Sequence, residues 1–265
     1  MPQIDSDLHS ESNRRIYHDP AVLASYRVMT LSRMESIALL KHYRAFAGRS
    51  VLDLGIGTGR TSIYLAPLAA RYEGIDFSPV MIEAVRASMP ELSTRCADIR
   101  DLSMFADRSF DFVFGSNNVI DAVPHEDRMR ALAEFRRVLA PGGCLMFSSH
   151  NREFRDALQG PRLELSRNPV TMVGNVVRWM RRLSTHASIR GLRREEEGYA
   201  LLNDGGHEYA VLHYYIAPGA QRRQLASAGF RVIDVLDVLG RSLEPGATDP
   251  DSHHLMYVAV RAEIS

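Results

Sequence analysis

The sequence is poor in residues that staple or anchor a chain. Its 265 residues include two cysteines, Cys96 and Cys144, one tryptophan and one lysine, Lys41. Two cysteines exclude a disulfide framework and a Cys-rich zinc site. Both sit in apolar runs, which predicts buried, reduced thiols. Net charge is also missing, because 32 basic and 32 acidic residues cancel. That excludes a strongly basic nucleic-acid-binding domain, though not a local patch. No apolar run approaches a membrane span. Residues 1–10 are polar and acidic, unlike a secretory signal. These absences predict a cytoplasmic protein with no membrane partner. What is present, 45% hydrophobic and 24% charged residues, is enough to build a globular core.

Periodicity sets the organisation. Val22, Leu23, Tyr26, Met29, Leu31, Met34, Ile37, Leu40 and Tyr43 recur at near-helical spacing, so residues 11–47 are predicted helical, with Pro20 at a helix start and Gly48 as a stop. From Ser50 onward short apolar segments alternate with helical ones. Strands are predicted at 51–54, 72–75, 92–96, 110–114 and 144–147, helices at 61–70, 79–88 and 127–139, and a turn at Pro141-Gly142-Gly143. This alternation predicts a parallel sheet covered on both faces.

Residues 151–206 break the rhythm. Arg178, Arg181, Arg182, Arg190, Arg193 and Arg194 precede Glu195, Glu196 and Glu197, a balance that predicts a solvated helix face. A clamp for a carboxylate or phosphate, or for RNA, is the functional alternative. Segments 199–202 and 209–216 flank Asn203-Asp204-Gly205-Gly206, a hairpin signal. Alternation puts His213 and Tyr215 on one face of that hairpin and Tyr214 on the other. A helix at 220–228 and strands at 231–239 and 255–261 close the chain, the strands joined by a polar loop, 241–254, expected to be mobile. Asp249, Asp251, His253 and His254 lie in that stretch without a diagnostic ligand spacing, so no metal is predicted.

The sharpest feature is Val51-Leu52-Asp53-Leu54-Gly55-Ile56-Gly57-Thr58-Gly59-Arg60. A glycine-rich turn from strand to helix lets a ligand approach the backbone closely. Dinucleotide folds use Gly-x-Gly-x-x-Gly, whereas here the spacing is Gly-x-Gly-x-Gly and Arg60 takes the place of the third glycine. By itself such a loop fits a nucleotide or dinucleotide equally well.

This stretch resembles motif I of the class I S-adenosylmethionine-dependent methyltransferases, small-molecule type. Gly74-Ile75-Asp76-Phe77-Ser78-Pro79-Val80-Met81 is similar to the family's second-strand motif, Ala97-Asp98-Ile99 to its third, and 109–118 to its fourth. Leu139-Ala140-Pro141-Gly142-Gly143 resembles the turn before strand five. The blocks occur in the family's order across roughly residues 45–150.

The resemblance implies a Rossmann-like α/β fold of seven strands, the last antiparallel, in a single domain over 1–265. That domain comprises an N-terminal helical cover at 11–47, a cofactor-binding core at 48–150, an inserted substrate cap at 151–217 and a closing helix and strands at 218–265. It implies S-adenosylmethionine as cofactor, held by Tyr17, Asp53, Gly55, Gly57, Gly59, Asp76, Phe77, Met81, Asp98, Ile99, Ser116 and Asn117. Asp76 would accept from both ribose hydroxyls, a task suited to two carboxylate oxygens. Asp98 would accept from the adenine amino group, with Ile99 against the ring. Ser116 and Asn117 would line the methionine end.

Candidate acceptor residues are less constrained. His150 follows strand five, at the sheet end where ligands bind in open α/β folds, and is a candidate catalytic base together with His213. Tyr26, Asn118, Asn151, Tyr214 and Tyr215 are candidate substrate contacts. The expected activity is methyl transfer to an oxygen or nitrogen of a small molecule, by a monomer or homodimer without a nucleic-acid partner. RNA or protein methylation, cofactor binding without turnover, and a nicotinamide oxidoreductase are the alternatives.

Overall fold

The computed structural model describes residues 30–263. The order of the central sheet follows from short apolar strands that must be covered on both faces. The strands are β1 (Ser50–Leu54), β2 (Arg71–Asp76), β3 (Thr94–Cys96), β4 (Phe110–Gly115), β5 (Leu139–Asn151), β6 (Arg194–Glu195), β7 (Tyr199–Asn203), β8 (Leu212–Ile216), β9 (Phe230–Leu236) and β10 (His254–Arg261). Seven of them form the core in the order β3-β2-β1-β4-β5-β10-β9, with β10 antiparallel to both neighbours. The remaining three, β6, β7 and β8, extend the sheet beyond β5.

The helices are α1 (Arg33–Lys41), α2 (Ser62–Leu65), α3 (Pro79–Ser88), α4 (His125–Val138), α5 (Pro169–Ile189) and α6 (Pro218–Ser227). Alternation along the strands divides the core. Leu52, Leu54, Tyr257 and Ala259 pack with Leu132 and Phe135 of α4 and Leu225 of α6. Val51, Met256 and Val258 pack with Met34, Ala38 and Leu39 of α1. Burying each large apolar side chain contributes roughly 1.5–3 kcal/mol, so α1 is held by its inner face and not by its propensity.

Several expectations change on folding. Cys144 is buried but Cys96 is exposed, because β3 is the sheet edge and only Thr94 of its three residues is buried. Pro141-Gly142-Gly143 does not interrupt β5. The strand passes through it with Gly142 at φ +70° and a register shift between Phe110 and Phe112 of β4. The arginine-rich insert contains α5, which starts at Asn168, whose side chain accepts from the Val170 and Thr171 amides. The 241–254 loop is pinned, since Asn151 Nδ2 donates to the Asp249 and Ser252 carbonyls at 2.5 and 3.0 Å. No helix among the described residues is long and apolar enough to cross a membrane.

The end of β5 positions the site. Through Phe147 one edge of β5 pairs with β4, and its other edge pairs with β10 as far as His150. Beyond β4, the partner is β8, with His150 opposite Tyr215 and Asn151 opposite Ile216. At its carboxyl end β5 therefore exchanges β4 for β8 as its neighbour.

Candidate functional site: a nucleoside cleft beside a histidine cluster

The cleft lies over the ends of β1, β2, β3 and β4. Gly55, Ile56, Gly57 and Thr58 form one wall. Asp76, Phe77 and Met81 follow β2, Asp98 and Ile99 follow β3, and Ser116 and Asn117 follow β4. These expected cofactor residues, nine with Gly55 and Gly57 included, are thus brought to one cavity.

Asp76 organises the wall. Its Oδ2 accepts from the Gly57 amide and its Oδ1 from the Ser78 amide, both at 2.9 Å. An ionised carboxylate offers about four acceptor sites, which suits a diol. Gly57 sits at φ +53°, and a Cβ there would meet nothing within 4 Å, so its bare backbone faces open space. A nucleoside has room to lie against it. Asp98 is gripped by Arg100, with Nε–Oδ1 at 2.9 Å and Nη2–Oδ2 at 2.8 Å, and Arg100 also reaches Asp127.

Two expected cofactor residues stand elsewhere. Asp53 is fully buried under the loop and does not line the cleft. Its Oδ2 accepts from Thr61 Oγ1 at 2.6 Å and from the Tyr72 hydroxyl at 2.9 Å, so it locks the loop to the following helix and to β2. Gly59, at φ +87°, is needed for packing, because a Cβ would lie 2.1 Å from Met89 Cε and 3.6 Å from Val85 Cγ2. Tyr17 and Tyr26 fall outside the described residues.

Burial raises the Asp53 carboxyl from 3.8 to about 7. The folded chain thus holds this proton more tightly than the unfolded chain, and unfolding free energy falls as pH rises from about 4 to about 7. Asp53→Asn should flatten that segment by about 1–2 kcal/mol, read as the difference in urea midpoints between pH 5 and pH 7.5. An unchanged slope would remove Asp53 as its source.

At the Ser116 end lies a charged pair that motif reading missed. Glu35 caps α1, its Oε2 accepting from the Ser32 amide at 2.7 Å while Ser32 accepts from the Glu35 amide. The same carboxylate meets Arg60 in a fork, both contacts at 2.8 Å, and the Ser116 hydroxyl touches both. Burial would raise the Glu35 pKa, but Arg60 prevails and holds it at about 2. Of the two, Arg60 lines the cleft, and Glu35 lies buried behind it and orients the guanidinium. Glu35 and Arg60 are 25 residues apart, a separation that carries no sequence signal.

Beyond the cleft stands the second half of the site. Asn117 lines the cleft, and the next residue, Asn118, places Nδ2 3.1 Å from His150 Nε2. His150 Nδ1 is 2.7 Å from Asp121 Oδ2, and its backbone amide donates to the same oxygen at 2.6 Å. Asp121 is buried against Arg128 at 2.5 Å. Burial pushes its pKa up, but Arg128 and His150 prevail and hold it below the ordinary value. The His150 ring stacks on His213 and Tyr215, each centroid 4.8 Å away. His213 Nδ1 and the Tyr215 hydroxyl both contact Asp204 Oδ2, at 3.0 and 2.6 Å. Burial lowers the His213 pKa, but Asp204 outweighs it and the net shift is upward.

Two expected acceptor contacts are corrected. Tyr214 is fully buried on the opposite face of β8, between Arg128 and the His125 ring. Asn151 is fully buried and spends its side chain on the 241–254 loop. Asp121 and Asp204, which sequence reading did not assign, hold the cluster together.

A parallel sheet in the order 3-2-1-4-5, a glycine loop after its first strand and an acid ending the second define a Rossmann-like nucleoside-binding protein. Residues 51–143 match the family described as methyltransferase domain. The malonyl-[acyl-carrier protein] O-methyltransferase of Halorhodospira halophila is 37% identical over 122 residues, 44% of this chain and 40% of that protein. The ubiquinone biosynthesis O-methyltransferase of Coxiella burnetii is 28% identical over 195 residues, 72% of this chain and 67% of that one. The match thus spans two fifths of the first relative's length and two thirds of the second's.

Among solved structures, the Burkholderia thailandensis 1,6-didemethyltoxoflavin-N1-methyltransferase, with its substrate and S-adenosylhomocysteine bound, superposes with a TM-score of 0.60. It is 16% identical, and the match covers 99% of this chain and 91% of that one. Residues 51–143 thus carry a methyltransferase domain on a fold shared with solved S-adenosylmethionine-dependent methyltransferases, which supports a class I enzyme with S-adenosylmethionine as cofactor.

Proposed function

We propose that the protein transfers the methyl group of S-adenosylmethionine to an oxygen or nitrogen of a small-molecule acceptor held between the cleft and the cap. The observation that carries this reading is adjacency. Asn117 lines the nucleoside cleft and Asn118 touches His150, so the cleft and the histidine cluster meet within two residues.

When bound, S-adenosylmethionine supplies an electrophilic methyl on a sulfonium. Asp76 would take the ribose hydroxyls, Asp98 the adenine amino group, Ile99 the ring, and Arg60, oriented by Glu35, the carboxylate of the amino-acid tail. Phe77 and Met81 would pack on the nucleoside. The chain's remaining task is to place the acceptor atom roughly 3–3.5 Å from the methyl carbon and exclude water. His150 and His213 are the proposed activating residues, with Asn118 and Tyr215 as acceptor contacts.

Both curated relatives are named as O-methyltransferases and the solved neighbour as an N-methyltransferase, which supports oxygen first and nitrogen second. The 151–217 segment joins the end of β5 through β8, next to the cleft, which supports an acceptor held between the two.

Incubation with methyl-labelled S-adenosylmethionine and a metabolite extract tests the proposal. Label should appear in small molecules. His150→Ala should lower that transfer by about 100-fold or more while S-adenosylhomocysteine binding stays at the parent level. Label confined to RNA or protein, or no transfer despite tight cofactor binding, would overturn the reading.

A further inference from the structure

The histidine cluster holds more polarity than acceptor positioning requires. His150 Nε2 lies 3.8 Å from Asp204 Oδ2, and His213 Nδ1 lies 3.0 Å from the same oxygen. The three ligand atoms all fall within 4.8 Å of one another. They come from different elements, β5, the segment after β7, and β8, and are brought together because β8 replaces β4 on the edge of β5.

Two surrounding contacts have the form of an outer shell. Histidines that bind a metal usually donate their other ring N–H to a carboxylate, which fixes the tautomer. The Asp121 contact does this for His150: with the proton on Nδ1, Nε2 presents its lone pair to Asp204 and Asn118. Ligating carboxylates are hydrogen-bonded in turn, and the Tyr215 hydroxyl donates to Asp204.

Asn118 adds an independent sign. Its Oδ1 is buried and has no hydrogen-bond partner among the described residues, while its Nδ2 faces His150. The two ends of an amide exchange by a simple flip, and the flipped amide would present the oxygen toward the cluster. In that flipped orientation Asn118 would add an oxygen donor to the two imidazoles and the carboxylate.

We propose that His150 Nε2, His213 Nδ1, Asp204 Oδ2 and Asn118 Oδ1 bind one first-row divalent transition metal ion at the acceptor end of the cleft. Two imidazoles and one carboxylate suit such an ion better than magnesium or calcium, which favour all-oxygen shells. The cation takes the place of the proton that His213 shares with Asp204. The ligand atoms must draw in by about 1 Å or less, since donors 2.0–2.2 Å from a metal lie roughly 3–3.5 Å apart. The site's side chains are 9–16% exposed, so an ion and an acceptor oxygen can both reach it. The existence of the ion stands apart from the proposed methyl transfer; only its chemical role, as a Lewis acid orienting an acceptor oxygen, rests on that reading.

The test uses the full chain stripped with chelator and titrated with Co2+, followed by calorimetry and visible absorption. One equivalent should bind, with d–d bands of a mixed nitrogen and oxygen site. His213→Ala and the near-isosteric Asp204→Asn should each weaken Co2+ binding by at least about 100-fold. S-adenosylhomocysteine binding, measured on the same samples, should match the parent and shows that the variants are folded. Absence of stoichiometric Co2+ binding in the parent, or binding undiminished in both variants, would overturn the metal site. Failure of S-adenosylhomocysteine to bind the parent would instead overturn the cofactor reading.

Discussion

Asp76→Ala is expected to abolish useful cofactor binding while the chain stays folded. The carboxylate has two tasks. It would receive the ribose hydroxyls, and it already receives the Gly57 and Ser78 amides at 2.9 Å, which shapes the loop against which the nucleoside lies. Hydrogen bonds to a charged group contribute about 1.5–3 kcal/mol each, so losing two costs about 3–6 kcal/mol, or about 10²–10⁴ in affinity. Calorimetry with S-adenosylhomocysteine reads this directly. Asp76→Asn should fall between parent and alanine, because the amide keeps one acceptor. If both variants bind like the parent, the ribose is held elsewhere.

Arg128→Ala is expected to cost the most stability of any single change around the site. The guanidinium is fully buried, inside a ring of partners from four parts of the chain. It donates to Asp121, to Ser149 at the end of β5, and to Gln221 and Gln224 of α6, and it lies 4.4 Å from the Tyr214 ring. Removing one partner of a buried ion pair strands the other charge and costs about 3–5 kcal/mol. The urea midpoint should fall accordingly, with the m-value unchanged. Because Asp121 also holds His150, methyl transfer by the folded fraction should fall too, while the cofactor cleft, built from other strands, keeps its affinity. A midpoint shift below about 1 kcal/mol would mean the pair is solvated.

The half of the site written in contiguous residues was legible in advance. Gly57, Asp76, Asp98 and Asn117 each sit just past a strand end, and short apolar strands make those ends easy to find. Alternation along β8 likewise separated His213 and Tyr215, which reach Asp204, from Tyr214, which faces Arg128. Long-range pairing was not legible. Glu35 meets Arg60, and Asp121 meets His150, only because the chain folds back across the sheet. Asp53 misled because a carboxylate beside a glycine loop reads as a ligand contact, whereas its donors lie below the loop. Cys96 misled because nothing local shows that its strand, with Arg95 beside it, is the edge of the sheet, where only Thr94 is buried.

The cap was half legible. The hairpin turn announced β7 and β8, but nothing local showed that β8 would join β5 in parallel where β4 ends. That junction brings His150, His213 and Asp204 together. The histidine cluster is therefore a product of topology, and the glycine-loop cleft a product of motif.

The central claim is that this cleft selects a sulfonium nucleoside over a dinucleotide. Competitive equilibrium binding of S-adenosylhomocysteine and NAD to the full chain tests it most directly. The account predicts one S-adenosylhomocysteine per chain, undisturbed by a large excess of NAD. Stoichiometric NAD binding that displaces S-adenosylhomocysteine would contradict it.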